Sequence, residues 1–227
     1  MNVEIRHAPV FAVATVTLSA GEAIRAEAGA MMTMSPDMTI ETGAQGGFLK
    51  SLTRSLAGGE SFFTNVFRPG AAGGVVQLVT ALPGDIATIE MDGSHAMFVQ
   101  SGSFLAAHPD IDVDTKWGGA KTFFGGEGLV LLSCRGAGTM LVSSYGAIDR
   151  FVLEAGQAIT VDSGHVVAFA DTVTFNVRAV GGIKSTMLSG EGLVVDLAGQ
   201  GEVFLQTRAL PSLADWVRRQ IPTQSSS

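Results

Sequence analysis

The sequence repeats itself, and that repetition constrains the fold more than any other feature. A glycine-rich block ending in a glutamate recurs at Glu60, Glu127 and Glu191. The spacing is about 65 residues, and repetition at a fixed period indicates one supersecondary unit used several times. Each block opens a run of apolar residues, so the simplest role for the three glutamates is to accept hydrogen bonds from backbone N–H groups at the start of a strand. A ligand site built from these repeated carboxylates is the alternative.

A second glycine-carboxamide or glycine-carboxylate signature indicates how the repeats are arranged. It predicts that Gly21, Gly84 and Gly156 occupy equivalent turns. When each repeat is counted from its glycine-glutamate block through the second signature, two repeats are continuous. The third is split between residues 190–208 and residues 11–42. A split unit can bury its apolar face only if the two ends of the chain meet. We therefore predict a mainly β fold, a pseudo-threefold repeat of antiparallel β units closed by N- and C-terminal strands.

Composition favours one compact domain that associates with further copies of itself. The chain has 227 residues, which suffices for a single β-rich domain over residues 1–222, with a disordered tail at 223–227. Charged residues make up only 15 % of the chain, where about 25 % is usual, and the mean hydropathy is +0.34. Because soluble monomers tolerate only small apolar patches, we expect a homo-oligomer. The N-terminal residues lack a secretory signal and no apolar stretch reaches the ~20 residues of a spanning helix, which predicts a cytoplasmic protein.

Strand patterns dominate, and two segments are predicted to be helical. Short β-branched or apolar runs bounded by Gly, Pro or Asp predict strands at 11–18, 75–79, 139–142 and 172–177. Residues 210–221 predict a short C-terminal helix, with Pro211 in its first turn and Arg218 and Arg219 in its last. The second helical segment, which we call the basic segment, covers residues 48–56.

The basic segment is the candidate interaction surface, because the other two repeats have no counterpart for it. Its residues divide into an apolar face and a cationic face, formed by Phe48, Leu49, Leu52 and Leu56 on one side and by Lys50 and Arg54 on the other. This composition is typical of a weak peripheral membrane contact or of a helix that docks on another protein.

The glycine-rich blocks also carry a resemblance to a known family. The blocks at 46–60, 118–128 and 181–192 and the closing segment 199–208 are similar to those of uncharacterised bacterial and archaeal proteins of the altered-inheritance-of-mitochondria, or mitochondrial biogenesis, family. The resemblance covers almost the whole chain. It implies a β-rich fold similar to that of the tryptophan RNA-binding attenuation protein and no established enzymatic activity. Mitochondrial members imply a role in inner-membrane organisation, but no mitochondrial targeting segment accompanies the resemblance here.

The residues that usually carry chemistry form no recognisable catalytic, cofactor or metal motif. His95 and His165 follow turns that look alike, but a transition metal usually needs three or more protein ligands. Cys134 is the only cysteine and lies in an apolar run, where a small buried side chain is expected rather than a reactive thiol. Trp117 opens a glycine-rich block and is expected to pack beneath it, with stacking on a ligand as the alternative.

Charge decides between the remaining function classes. The net charge of −7 gives no general attraction for phosphate, so no nucleic-acid partner is expected. The sequence therefore favours a non-enzymatic oligomeric scaffold or interaction protein. The alternative is a small-molecule or nucleic-acid binding module whose pocket lies at the pseudo-threefold axis or at a subunit interface.

Overall fold

The computed structural model describes residues 1–42, 64–114, 129–180 and 193–221, which form nineteen strands and one α-helix. The first seven strands are β1 (Asn2–Arg6), β2 (Val13–Leu18), β3 (Ile24–Glu27), β4 (Met31–Met34), β5 (Thr39–Thr42), β6 (Thr64–Arg68) and β7 (Gly74–Val79). The next six are β8 (Ile86–Asp92), β9 (Met97–Gln100), β10 (Phe104–Ala107), β11 (Asp112–Asp114), β12 (Leu131–Arg135) and β13 (Ala137–Ser143). The last are β14 (Ile148–Leu153), β15 (Ala158–Asp162), β16 (Val166–Ala170), β17 (Val173–Ala179), β18 (Leu193–Gly199) and β19 (Gly201–Gln206), followed by helix α1 (Leu210–Gln220).

Strand β2 forms where the sequence alternates more and less apolar residues, whereas β10 and β16 are continuous apolar runs. In β2 the side chains of Ala14, Val16 and Leu18 are buried, while their neighbours along the strand are more exposed. This is the period of two that places successive side chains on opposite faces of a sheet. The four predicted strands are confirmed as β2, β7, β13 and β17, and the predicted C-terminal helix is confirmed as α1.

The strands assemble into four antiparallel sheets in which one pairing scheme recurs. Their orders are β1-β2-β7-β4, β5-β6-β3-β10-β13-β8, β11-β12-β9-β16-β19-β14 and β15-β18-β17. Raising every strand number of the first six-stranded sheet by six gives the second six-stranded sheet in the same order. The same shift converts β2-β7-β4 into β8-β13-β10, and β11-β12-β9 into β17-β18-β15. We therefore divide the chain into unit 1 (β2–β7), unit 2 (β8–β13) and unit 3 (β14–β19); their superposition about a threefold axis stays a prediction.

Each six-stranded sheet joins two consecutive units. Strands β3 of unit 1 and β10 of unit 2 pair antiparallel, with Ala26 opposite Ala106. Strands β9 of unit 2 and β16 of unit 3 pair in the same way, with Val99 opposite Ala168. Neighbouring units are thus held together by backbone hydrogen bonds as well as by side-chain packing.

A β-bulge also recurs at one position of every unit. The register shifts by one residue at Met32 where β4 pairs with β7, at Leu105 where β10 pairs with β13, and at Val167 where β16 pairs with β19. A bulge bends its strand and re-aims the extra side chain. We call Met32, Leu105 and Val167 the bulge residues.

The predicted closure of the fold by N- and C-terminal strands is wrong for the described strands. Strands β18 and β19 pair only with β14, β15, β16 and β17, whereas β1 to β5 pair among units 1 and 2. The reason is the phase of the repeat. The three glutamate blocks fall between the fourth and fifth strands of each unit, so a repeat counted from them starts in mid-unit. Counted in this way the third repeat is split, although each unit is contiguous.

The predicted equivalence of Gly84 with Gly21 and Gly156 is also wrong. Gly21 and Gly156 have positive φ angles of 84° and 85° in the turns that follow β2 and β14. Gly84 instead precedes β8, where it forms parallel bridges with Phe11 and Gly146. The pair Gly84-Asp85 looks like Gly21-Glu22 in sequence, but it belongs to the connection between two units.

The buried side chains form three clusters, and each cluster contains residues of two consecutive units. Burying one large aliphatic side chain contributes roughly 1.5–3 kcal/mol, so these clusters stabilise the junctions between units. Helix α1 contributes no buried residue to them. No helix in the described part of the chain has the length and apolar character needed to span a membrane.

Candidate interaction site

A cleft of about 460 Å³ opens on unit 3 between β14, β15 and β19. Its walls combine apolar and polar side chains, contributed by Asp149, Phe151, Ile159, Thr160, Val161, Asp162, His165, Leu205, Gln206 and Thr207. The apolar wall consists of Phe151, Ile159, Val161 and Leu205. These four residues decide what the cleft accepts.

The matching position in unit 1 belongs to a buried cluster that includes side chains of unit 2. Strand pairing places Ala14 opposite Leu78 in unit 1 and Asp149 opposite Leu205 in unit 3, which aligns the two units residue by residue. The unit 1 counterparts of the apolar wall pack in one buried cluster with the unit 2 bulge residue Leu105, and they are Val16, Ile24, Ala26 and Leu78.

Unit 2 repeats this arrangement with a side chain of unit 3. Its counterparts of the apolar wall share one buried cluster with the bulge residue Val167, and they are Ile89, Met97, Val99 and Val142. In units 1 and 2, therefore, the place that corresponds to the cleft is where the bulge residue of the following unit packs. Among the described strands, none continues the series beyond unit 3.

The polar residues of the cleft hold one another in position. The His165 Nδ1 atom lies 2.6 Å from the Gln206 backbone oxygen, and the Gln206 side-chain amide donates to the Gly164 backbone oxygen at 2.7 Å. The Gly164 backbone N–H in turn donates to Asp162 at 2.8 Å. These bonds fix the turn between β15 and β16, and so define one end of the cleft.

A charged network supports β15 from the neighbouring strand. The Thr160 hydroxyl donates to Asp196 of β18 at 2.7 Å, and the Arg178 guanidinium of β17 donates to the same carboxylate at 2.6 Å and 3.0 Å. The hydrogen bond from Arg178, followed by that from Thr160, lowers the pKa of Asp196 to about 2. The network thus holds Thr160 at the open edge of β15.

Unit 1, at the other end of the series, exposes residues whose counterparts in units 2 and 3 are buried. Met32 is 47 % exposed, whereas the other bulge residues Leu105 and Val167 are 1 % and 0 % exposed. Met31 is 39 % exposed, although its counterpart Phe104 is fully buried. Among the described strands, β4 pairs only with β7 and β15 pairs only with β18. Unit 1 therefore presents an apolar edge, and unit 3 presents an edge with a cleft.

Most of the site residues predicted from the sequence cannot be compared with this geometry. The basic segment, with Phe48, Leu49, Lys50, Leu52, Arg54 and Leu56, lies outside the described residues, as do Glu60, Glu127, Glu191 and Trp117. The cleft and the two edges were not predicted. Their signal in the sequence is the methionine-rich stretch 31–34, which aligns with the apolar stretches 104–107 and 166–169 once the bulges are matched.

The histidines and the cysteine lie apart from one another. His95 is mostly exposed and its Nδ1 lies 3.5 Å from the Asp171 carboxylate, while His165 belongs to the cleft. Within the described ranges, no three His, Cys, Asp or Glu side chains are grouped so that they could hold a metal ion. Cys134 is buried on β12, and its burial raises the pKa of the thiol to about 12. A thiol with this pKa is protonated at neutral pH.

Comparison with known proteins gives a family and a fold. The family model described as mitochondrial biogenesis AIM24 matches residues 3–208. The uncharacterised protein M6_Spy0233 of Streptococcus pyogenes serotype M6 is 27 % identical over 235 residues, covering 100 % of this chain and 93 % of that protein. The crystal structure of protein SPYM3_0169 from Streptococcus pyogenes is similar with a TM-score of 0.81 and 26 % identity, covering 97 % of this chain and 99 % of that one.

Proposed function

The chain belongs to the mitochondrial biogenesis AIM24 family, and we propose that it acts as a non-enzymatic oligomeric scaffold or interaction protein. The observation that carries this proposal is the exposure of large apolar side chains on β4 and α1. Met31 and Met32 of β4 are exposed, and so are Trp216 and Val217 of α1. Soluble chains keep such contiguous patches small unless a partner covers them.

Helix α1 supports the proposal independently of the strands. Leu210, Val217 and Ile221 recur at the spacing of one helix face, and all three side chains are exposed by 39 % or more. An amphipathic helix normally buries such a face against its own domain. A helix that leaves it exposed has the character of a docking element, which favours a protein that works through contacts.

A peripheral membrane contact is the second part of the proposal. The basic segment combines four apolar residues with Lys50 and Arg54, a composition suited to the surface of an anionic membrane. We place the protein in the cytoplasm on the sequence evidence, with this contact as its route to a membrane. No nucleic-acid partner is proposed, because the net charge is −7.

A small-molecule binding module is the alternative, and the cleft is the observation that favours it. Ligand pockets commonly have volumes of about 300–1,000 Å³, with apolar walls and a few fixed polar groups. The cleft has about 460 Å³, four apolar wall residues and the ordered polar side chains of Asp162 and His165. A metabolite of mixed polarity would suit it.

Native mass spectrometry of the purified protein separates the two functions. The scaffold predicts masses at multiples of 23.5 kDa, the mass of one chain, without added mass. A stoichiometric adduct that disappears on denaturation, and whose binding is weakened by Phe151→Ala, would favour the binding module. Val152→Ala is the matched control, because Val152 neighbours Phe151 on β14 but does not line the cleft.

A further inference from the structure

We propose that unit 1 of one copy docks on unit 3 of a second copy, with β4 of the first pairing antiparallel with β15 of the second. The resulting sheet would have the order β17-β18-β15 from one copy and β4-β7-β2-β1 from the other. Six of its seven strands would repeat the order of the two six-stranded sheets that the chain forms internally. The inference rests on the proposed self-association and names the surfaces that carry it.

The internal junctions supply the pairing and its register. The first junction joins β3 to β10 and the second joins β9 to β16. The same six-strand shift makes β15 the counterpart of β3 and β9, and makes β4 the counterpart of β10 and β16. Carrying the observed register across places Thr33 opposite Val161 and Met34 opposite Thr160.

The cleft supplies the side-chain contact. At each internal junction the bulge residue of the following unit, Leu105 or Val167, is buried among the counterparts of the cleft wall. Of the three bulge residues, Met32 is the one that is exposed. Of the three corresponding walls, the cleft wall on unit 3 is the one that no described bulge residue covers. Met32 of the first copy therefore fills the cleft of the second. Methionine suits this role because its unbranched side chain adapts to the shape of a gap.

Contacts beside the internal junctions support the same assignment. Arg25, the unit 1 counterpart of Thr160, donates hydrogen bonds to the Ile111 and Pro109 backbone oxygens of unit 2 at 3.1 Å and 3.3 Å. Phe98, the unit 2 counterpart, packs against Phe169 of unit 3 with ring centroids 5.5 Å apart. At both junctions, then, this position contacts the following unit. Thr160 holds the same place at the open edge.

An interface of this kind is head-to-tail, because it joins two different surfaces of the same chain. Such interfaces build rings when the rotation between copies closes and filaments when it does not. Each copy uses its β4 edge and its β15 edge. These two edges then no longer offer unpaired backbone groups for uncontrolled association.

Sedimentation velocity of three proteins tests the side-chain contact. The wild type is expected to sediment as an oligomer, and Met32→Glu as a 23.5 kDa monomer at the same concentration. Met32 is exposed in the single chain, so this change leaves the fold intact, which circular dichroism verifies. Val152→Glu is the matched control: Val152 is also exposed, its unit 2 counterpart is Glu90, and the oligomer should persist.

Disulfide trapping tests the register. A mixture of Thr33→Cys chains and Val161→Cys chains should form a covalent dimer on mild oxidation, while each variant alone should not. Thr33→Cys mixed with Thr160→Cys is the off-register control, since neighbouring residues of a strand point to opposite faces. The buried native Cys134 stays in place in all of them.

The outcomes separate this inference from the proposed function. An oligomer that survives Met32→Glu, or a single variant that cross-links to itself, overturns the head-to-tail interface and leaves an oligomeric scaffold standing. A wild type that stays monomeric overturns both. A mixture that cross-links only in the predicted register, together with a monomeric Met32→Glu protein, supports the interface.

Discussion

The hydrogen bonds of Asp196 make the stability of the fold depend on pH. Arg178 and Thr160 hydrogen-bond to its carboxylate and lower its pKa to about 2, from an unfolded value near 3.9. Because the folded pKa is the lower one, the contribution to stability is present above pH ~4 and is lost as pH falls toward 2.

The stability difference between the wild type and Asp196→Asn should therefore be larger at pH 5 than at pH 2. Thermal unfolding at both pH values measures it. Val152→Ala, at an exposed position of β14 that does not titrate, is the control and should change stability equally at both pH values. A difference between wild type and Asp196→Asn that is the same at both pH values would show that the network contributes nothing to folding.

Cys134 is predicted to be chemically silent in the folded protein. Its thiol is buried on β12 and has a pKa of about 12, and the thiolate is the reactive form. A thiol reagent such as Ellman's reagent should fail to label the native chain and should label one thiol per chain in denaturant. Rapid labelling without denaturant would mean that the central strands open easily.

Gly84 is the residue at which the connection between units 1 and 2 is most tightly packed. A Cβ atom on Gly84 would lie 1.6 Å from the Ser144 backbone oxygen, so Gly84→Ala forces the backbone to move. We expect a loss of about 3 kcal/mol, at the upper end for overpacking, measured by chemical denaturation. Gly102→Ala is the control, because the new methyl group would meet only the flexible Gln100 side chain at 3.2 Å. Equal stability of the two variants would show that the backbone bridges of Gly84 with Phe11 and Gly146 can shift without lowering the free energy of unfolding.

At the scale of elements, local patterns in the sequence predicted most of the secondary structure. The run 75–79 correctly predicted β7, and the proline and arginines within 210–221 correctly predicted α1. These predictions succeeded because the alternation of side chains along a strand and the residue preferences of helix ends are local properties. The boundaries of the repeats are not a local property, because they depend on which strands pair. Aligning Gly84 with Gly21 therefore placed the predicted start of unit 2 at the wrong residue.

The candidate site could not be predicted for the same reason. Nothing in residues 158–162 alone shows that β15 is an edge strand, since β9 has a similar sequence but pairs on both sides. Met31 and Met32 look like core residues, and in the other units their counterparts are core residues. Their exposure follows from the position of unit 1 at the start of the series. That is a property of the whole chain.

The basic segment gives a prediction that belongs to one element. If it docks on a membrane, the protein should co-sediment with anionic vesicles at low salt, because each cation near an anionic surface contributes roughly 1 kcal/mol. Lys50→Glu with Arg54→Glu should abolish this without lowering the melting temperature. Neutral vesicles and physiological salt are the controls. Absence of sedimentation in every condition, or binding that ignores both salt and charge, would leave a scaffold that contacts proteins alone.

Across the whole molecule, the described strands pair as a series in which unit 3 does not pair with unit 1. Units 1 and 2 share one six-stranded sheet and units 2 and 3 share the other, so each unit completes the core of the unit before it. A series of this kind leaves two unlike ends. The exposed methionines of β4 lie at one of these ends and the cleft of unit 3 lies at the other.

We propose that the folded protein associates with itself, and its molar mass in solution is the decisive measurement. Light scattering coupled to size exclusion should be run from about 1 to 100 μM. Copies of a protein joined by an interface of ordinary size stay associated at these concentrations. We predict a mass that is a multiple of 23.5 kDa and does not fall on dilution to micromolar concentration. A mass of one chain at every concentration would contradict the account.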